Sequence, residues 1–269
     1  MNEVIYLDHN ATTPLLPAVL DAMLPYLREE FGNPSSDHPL GHRARAAVDT
    51  AREQVAALIG ANPDEIVFTS GATESNNLAI RGAAEADPSQ RRRIVTSCVE
   101  HPATVEPLRR MESEGWNVDR LPVGHDGSID PSVLPDAITG DVALVTIMLA
   151  QNETGALMPI REAGAIAHAA GALMHTDAAQ AIGKIPVDVE DLHVDLLSVA
   201  GHKVNAPKGI GALYVRRGTP LRPVLLGASQ ERGLRPGTEN VASIVALGAA
   251  SHAALSDLRE RAMHYRRLR

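Results

Sequence analysis

Val194-Asp-Leu-Leu-Ser-Val-Ala-Gly-His-Lys-Val-Asn-Ala-Pro-Lys-Gly-Ile-Gly-Ala-Leu-Tyr-Val215 holds two apolar runs around a loop punctuated by glycine and proline. Residues 194–199 and 209–216 read as two strands, which places Lys203 at the tip between them. Short apolar runs recur upstream at 65–70, 93–97, 142–148 and 172–176, and amphipathic stretches follow them. Their periodicity predicts helices from about Glu74, over 103–114, over 161–170, and from Val241 to the end of the chain. Strand and helix alternate, and the strands are apolar on both faces. The expected fold is therefore α/β, a mostly parallel sheet covered by helices on both sides.

Composition agrees with that layering. Of 269 residues, 44% are apolar and only 3% aromatic, so the core must be built from Ala, Val, Leu and Ile. The length allows one large domain or a domain and a half. A net charge of −8 offers no basic field to a polyanion, so nucleic acid is not an expected partner. No uninterrupted apolar run approaches the roughly 18 residues of a membrane helix, and the opening Met1-Asn2-Glu3-Val4 is unlike a signal peptide. No membrane association and a cytoplasmic location are the expectation. The single cysteine, Cys98, excludes an internal disulfide and paired-cysteine metal sites. Following directly on an apolar run, it is expected to be a buried, inert thiol.

Three motifs point to chemistry. Thr69-Ser-Gly-Ala-Thr-Glu-Ser-Asn76 spans a strand end and a helix start, where the amides of Ala72 and Thr73 and the Thr73 hydroxyl can meet an anion. The same residues also suit an ordinary glycine turn with a helix cap. His175-Thr-Asp177 ends a strand at the sheet edge where open α/β folds bind ligands. Asp177 there suits a ring nitrogen or a helix cap; with His175 it makes at most two metal ligands, so no metal is expected. Lysine is scarce, occurring only as Lys184, Lys203 and Lys208. Lys203, after an apolar strand and beside His202, is the one whose setting favours a nucleophilic amine.

Taken in order, these segments resemble the cysteine desulfurase and selenocysteine lyase family, within the class V aminotransferase fold. The resemblance also runs through Tyr6-Leu-Asp-His-Asn-Ala-Thr-Thr-Pro14, Phe31-Gly-Asn-Pro-Ser-Ser36, Glu100-His-Pro102, Asn152-Glu-Thr-Gly155, Asp177-Ala-Ala-Gln180 and Arg235-Pro-Gly-Thr-Glu-Asn240. It implies the large domain of a fold-type I transferase that uses pyridoxal 5'-phosphate, with a sheet of the seven-stranded type. Lys203 resembles the Schiff-base lysine, Asp177 the partner of the pyridine nitrogen, and His101 the histidine that stacks on the ring and assists proton transfer. Asn152 and Gln180 resemble partners of the ring hydroxyl. Ala72, Thr73 and His202 resemble phosphate ligands, and Thr238 a residue reaching the phosphate of a second subunit in a homodimer. Ala200 and His9 depart from the family pattern, Ala200 standing where many members have a phosphate-binding serine.

The reaction implied is release of sulfur from L-cysteine, or selenium from L-selenocysteine, as L-alanine forms; a scaffold protein would accept the sulfur. The expected organisation is an N-terminal segment over 1–15 that packs on a small domain, a cofactor-binding domain over 16–255, and over 256–269 a helix leading toward a C-terminal small domain the chain lacks. That domain would carry the family's mobile cysteine and its carboxylate-binding arginine. Two other readings stay open: another class V aminotransferase, and a catalytically incomplete fragment that binds cofactor or dimerises.

Overall fold

The structure, a computed structural model, describes residues 5–268. Its centre is one sheet of seven strands: β1 (Ile66–Thr69), β2 (Arg93–Ser97), β3 (Asn117–Leu121), β4 (Val142–Thr146), β5 (Leu173–Asp177), β6 (Leu196–Ala200) and β7 (Gly211–Val215). The spatial order is β1-β7-β6-β5-β4-β2-β3. Only β7 runs against its neighbours, pairing antiparallel with both β6 and β1. Two reversals restore direction, so β1 points the same way as β2 to β6 and its carboxyl end reaches the same edge of the sheet.

Alternation along the strands sends side chains into two separate cores. On one face Val67, Ile94, Leu144, Leu196 and Leu213 pack beneath α3 (Ala72–Ala86) and α4 (Pro102–Ser113). On the other, Phe68, Val95, Val145, Leu197 and Tyr214 meet a layer made by α1 (Pro17–Arg28), α2 (Pro39–Ile59), the single-turn α5 (Leu134–Ala137), α6 (Ile160–Ala169) and α7 (Val241–Leu268). Both faces are thus covered, as the apolar runs predicted. Helical small residues allow close layering: Ala51 and Gly248 bring α2 and α7 near enough that a Cβ on Gly248 would sit 2.6 Å from the Ala51 Cα.

Besides the single turn α5, three longer elements went unread in the sequence. Strand β3, Asn-Val-Asp-Arg-Leu, is a polar edge strand in which only Leu121 is buried, so it lacks an apolar signature. Helix α1 carries Pro25 within it, and α2 has arginines interspersed among its buried alanines. Both blur the apolar stripe that marks a helix. Helix α7 is long and apolar enough to cross a membrane by length and composition, although Ser243, Ser251, His252 and Ser256 interrupt its apolar run. Half of that apolar window is buried, with Ile244, Leu247, Ala250 and Ala254 packed inside the protein as a core helix would be.

Candidate active site

At the carboxyl edge of the sheet lies a cavity of about 640 Å³, within the size range of small-molecule and cofactor sites. Strand β1 delivers the chain to Gly71, whose φ of 150° suits glycine, and α3 begins at once with Ala72. The first amides of that helix have no intrahelical acceptor, so they face the cavity as an anion cradle together with Thr73. Below the cradle the turn is fixed by Thr69 and Ser75, whose hydroxyls lie 2.8 Å apart, and by Ser75 donating to the Ala212 carbonyl at 3.0 Å.

Asp177 ends β5, almost fully buried. Its Oδ2 accepts from Asn76 Nδ2 at 2.7 Å and its Oδ1 from the Ala179 amide at 2.9 Å. Neutral donors thus orient the carboxylate without cancelling its charge, and that charge in turn supports a protonated Lys203. His175, two residues earlier on the same face, is committed elsewhere: Nδ1 meets Thr146 Oγ1 at 2.8 Å and Nε2 meets Ser198 Oγ at 3.0 Å. Burial pushes its pKa down to about 3, so the ring is neutral. Among the described residues no group of three potential metal ligands is assembled.

Lys203 closes a short helical turn between β6 and β7 and enters the same cavity, half-buried. Its Nζ donates to the carbonyls of Asn10 and Ala11. Burial lowers its pKa, and the charges of Asp177 and Asp8 only partly offset that. His202 beside it is lowered too, by burial and then by the charges of Lys203 and Lys208. Facing them, His101 caps α4 by accepting the Ala103 amide at its Nδ1, 3.1 Å away. When the ring is neutral its proton therefore sits on Nε2. Asn152 and Gln180 complete the wall.

All of the predicted site residues except Thr238 line this cavity; Thr238 is exposed and away from its wall. The set fits pyridoxal phosphate: helix amides for a phosphate, a buried carboxylate for a ring nitrogen, and an amine for a carbonyl carbon. Ala200 lies in the wall with no hydroxyl to offer.

Residues 5–268 match the family described as aminotransferase class-V. The chain belongs to that family. Class-V aminotransferases are pyridoxal-phosphate enzymes. This family member is 53% identical over 248 residues to a cysteine desulfurase of Nostoc sp., covering 92% of the present chain and 62% of the relative. Among solved structures it is similar to a NifS-like protein, with a TM-score of 0.94 and 41% identity over 98% of this chain and 73% of that one. It is also similar to SspA in complex with cysteine, with a TM-score of 0.89 and 42% identity over 92% and 72% of the two chains. The chain spans about 62% of the length of the curated relatives it matches first.

The sequence concealed several contributors. Residues 8–13 form a strap across the lysine loop: Thr13 donates to the His202 carbonyl from both its amide and its hydroxyl at 2.9 Å, and Asn205 donates its amide back to Thr13 Oγ1. Residues 1–4 of the N-terminal segment lie outside the described residues. Glu100, beside His101, is buried, with Oε1 accepting from Ser97 Oγ at 2.6 Å and the Met148 amide at 2.9 Å. One expectation is overturned: Cys98 is exposed. Strand β2 ends at Ser97, whose hydroxyl turns inward to Glu100, so the next side chain faces out.

Proposed function

We propose that the chain is the cofactor-binding part of a cysteine desulfurase that releases sulfur from L-cysteine and yields L-alanine. The observation that carries this reading is the pairing within one cavity of Lys203, an amine of lowered basicity, with the buried Asp177 carboxylate that neutral donors orient. The desulfurase relative and the cysteine-bound structural neighbour favour it over a selenocysteine lyase, an amino-group transfer enzyme or a non-catalytic fragment.

When bound at Lys203, pyridoxal phosphate supplies an electron sink for the α-carbon of an amino acid. The protein's own groups set the conditions. The Ala72 and Thr73 amides, the Thr73 hydroxyl and His202 would hold the phosphate. Asp177 would keep a proton on the pyridine nitrogen, and Asn152 and Gln180 would bond the ring hydroxyl. Lowered basicity leaves Lys203 a larger neutral share with which to bond the cofactor and to accept a proton. His101 would stack on the ring and use its Nε2 for proton transfer.

The same reading includes a cytoplasmic homodimer in which the exposed Thr238 reaches the partner's phosphate, and a scaffold protein as sulfur acceptor. It also takes residues 16–255 as the cofactor-binding domain. Purified protein mixed with pyridoxal phosphate should give a visible Schiff-base band that Lys203→Ala abolishes. Addition of L-cysteine together with dithiothreitol, whose thiols take the sulfur and reduce it, should then yield alanine and sulfide. A wild-type chain with no band, or the same band in Lys203→Ala, would sink the assignment. Light scattering that returns only a monomer would sink the dimer.

A further inference from the structure

All three lysines of the chain gather at one place: Lys203 and Lys208 line the cavity, and Lys184 stands close enough to Lys203 to feel its charge. With lysine otherwise replaced by arginine, Lys184 calls for its own explanation. Its half-buried ammonium donates to Gln180 Oε1 at 2.7 Å and to Asn10 Oδ1 at 3.0 Å. Gln180 in turn donates from Nε2 to the Asn10 carbonyl at 3.0 Å, the same carbonyl that receives Lys203 Nζ. An ammonium has protons to give and no lone pair to offer. The amide atom facing Lys184 must therefore be oxygen, and the amide's NH₂ is forced toward the Lys203 side.

We propose that Lys184 is a positioning residue that locks the side-chain amide of Gln180 with its donor end toward Lys203 and the cofactor's ring oxygen. The inference rests on the reading that Gln180 meets that oxygen. A free glutamine amide turns over easily, and half of its orientations would set oxygen against oxygen. Lys184, four residues away on the turn that follows Asp177, removes that choice at the oxygen end, and the Asn10 carbonyl supports the same orientation at the NH₂ end. Burial and then the charge of Lys203 bring the Lys184 pKa down to about 8, so its own ammonium stays the majority form at neutral pH.

The test is a set of cofactor affinities, read from the visible band as pyridoxal phosphate is titrated into cofactor-free protein, with thermal melting of each cofactor-free variant alongside. Lys184→Met and Gln180→Ala should each weaken binding about tenfold, the worth of one hydrogen bond of this kind. The double variant should be no weaker than either single one, because Lys184 acts through Gln180. Lys184→Arg, which keeps a pure donor, should restore binding to within about threefold. Gln180→Glu adds an ion pair with Lys184, so melting should hold while affinity falls at least tenfold, since only acceptor atoms then face the ring oxygen. Additive losses in the double variant, or Gln180→Glu binding as wild type does, would overturn the proposal even if Lys184→Met fails to fold. A wild-type protein that shows no lysine-dependent band fails at the earlier step, the cofactor reading itself; a normal band with Lys184→Met unchanged fails only here.

Discussion

Asp177 stands at the end of a buried strand and takes its bonds from Asn76 and Ala179, whereas Asn10 lies in an exposed segment whose partners sit 142 to 193 residues along the chain. Both regions touch the same cavity, yet they are held differently. The floor is part of the sheet and α3, where every displaced polar atom would be stranded without water. The strap is a run of mixed backbone and side-chain bonds in an exposed to half-buried segment, where solvent can replace most of them. Losing a floor bond should therefore be costly for the whole fold, and losing a strap bond should loosen only the lysine loop.

The sharpest contrast comes from Asn76→Ala, which leaves Asp177 Oδ2 and Thr104 Oγ1 without their shared donor in a buried site. We expect a loss of about 2–3 kcal/mol in urea unfolding, with cofactor retention falling as Asp177 loses its orientation. A loss no larger than that of a surface variant would erase the distinction between floor and strap. Glu100 offers a test of the floor by pH. Burial, with the Asp177 charge adding to it, raises the Glu100 carboxyl to about 8 from an ordinary 4.5, against the pull of its bonds to Ser97 and Met148. The folded protein then keeps a proton that the unfolded chain has already released, so this group's contribution to stability is full below about 4.5 and declines as pH rises through about 8. Urea midpoints measured across that window should fall for wild type and fall less for Glu100→Gln. The smallest effect belongs to the strap: Thr13→Val removes the hydroxyl bonds to His202 and Asn205 and should cost about 1 kcal/mol or less. Hydrogen exchange should quicken at Asn205 and little elsewhere.

The same division explains what could be read from the sequence. Asp177, His101, Ala72 and Thr73 lie directly at strand or helix ends, so locating β5, α4 and α3 was enough to place them on one edge. Parallel pairing groups His101 with Asp177, and Ala72 and Thr73 join that edge because two antiparallel pairings through β7 restore the direction of β1. Asn10, Asn76 and Lys184 carry no such local mark: their importance arises from partners brought close only by the completed fold. Strand β3 and helices α1 and α2 were hidden for a related reason, since polar residues or an internal proline interrupt the pattern that apolar packing elsewhere leaves intact. Cys98 was misplaced because apolar neighbours in sequence say nothing of which face a residue takes once the strand has ended.

The scarcity of lysine gives the protein an unusual handling property. Within this chain the lysine amines are those of Lys184, Lys203 and Lys208, all grouped around one cavity. An amine-directed label is therefore close to a site-directed one, and attachment to a surface through lysine would fasten the molecule by the very face it needs open.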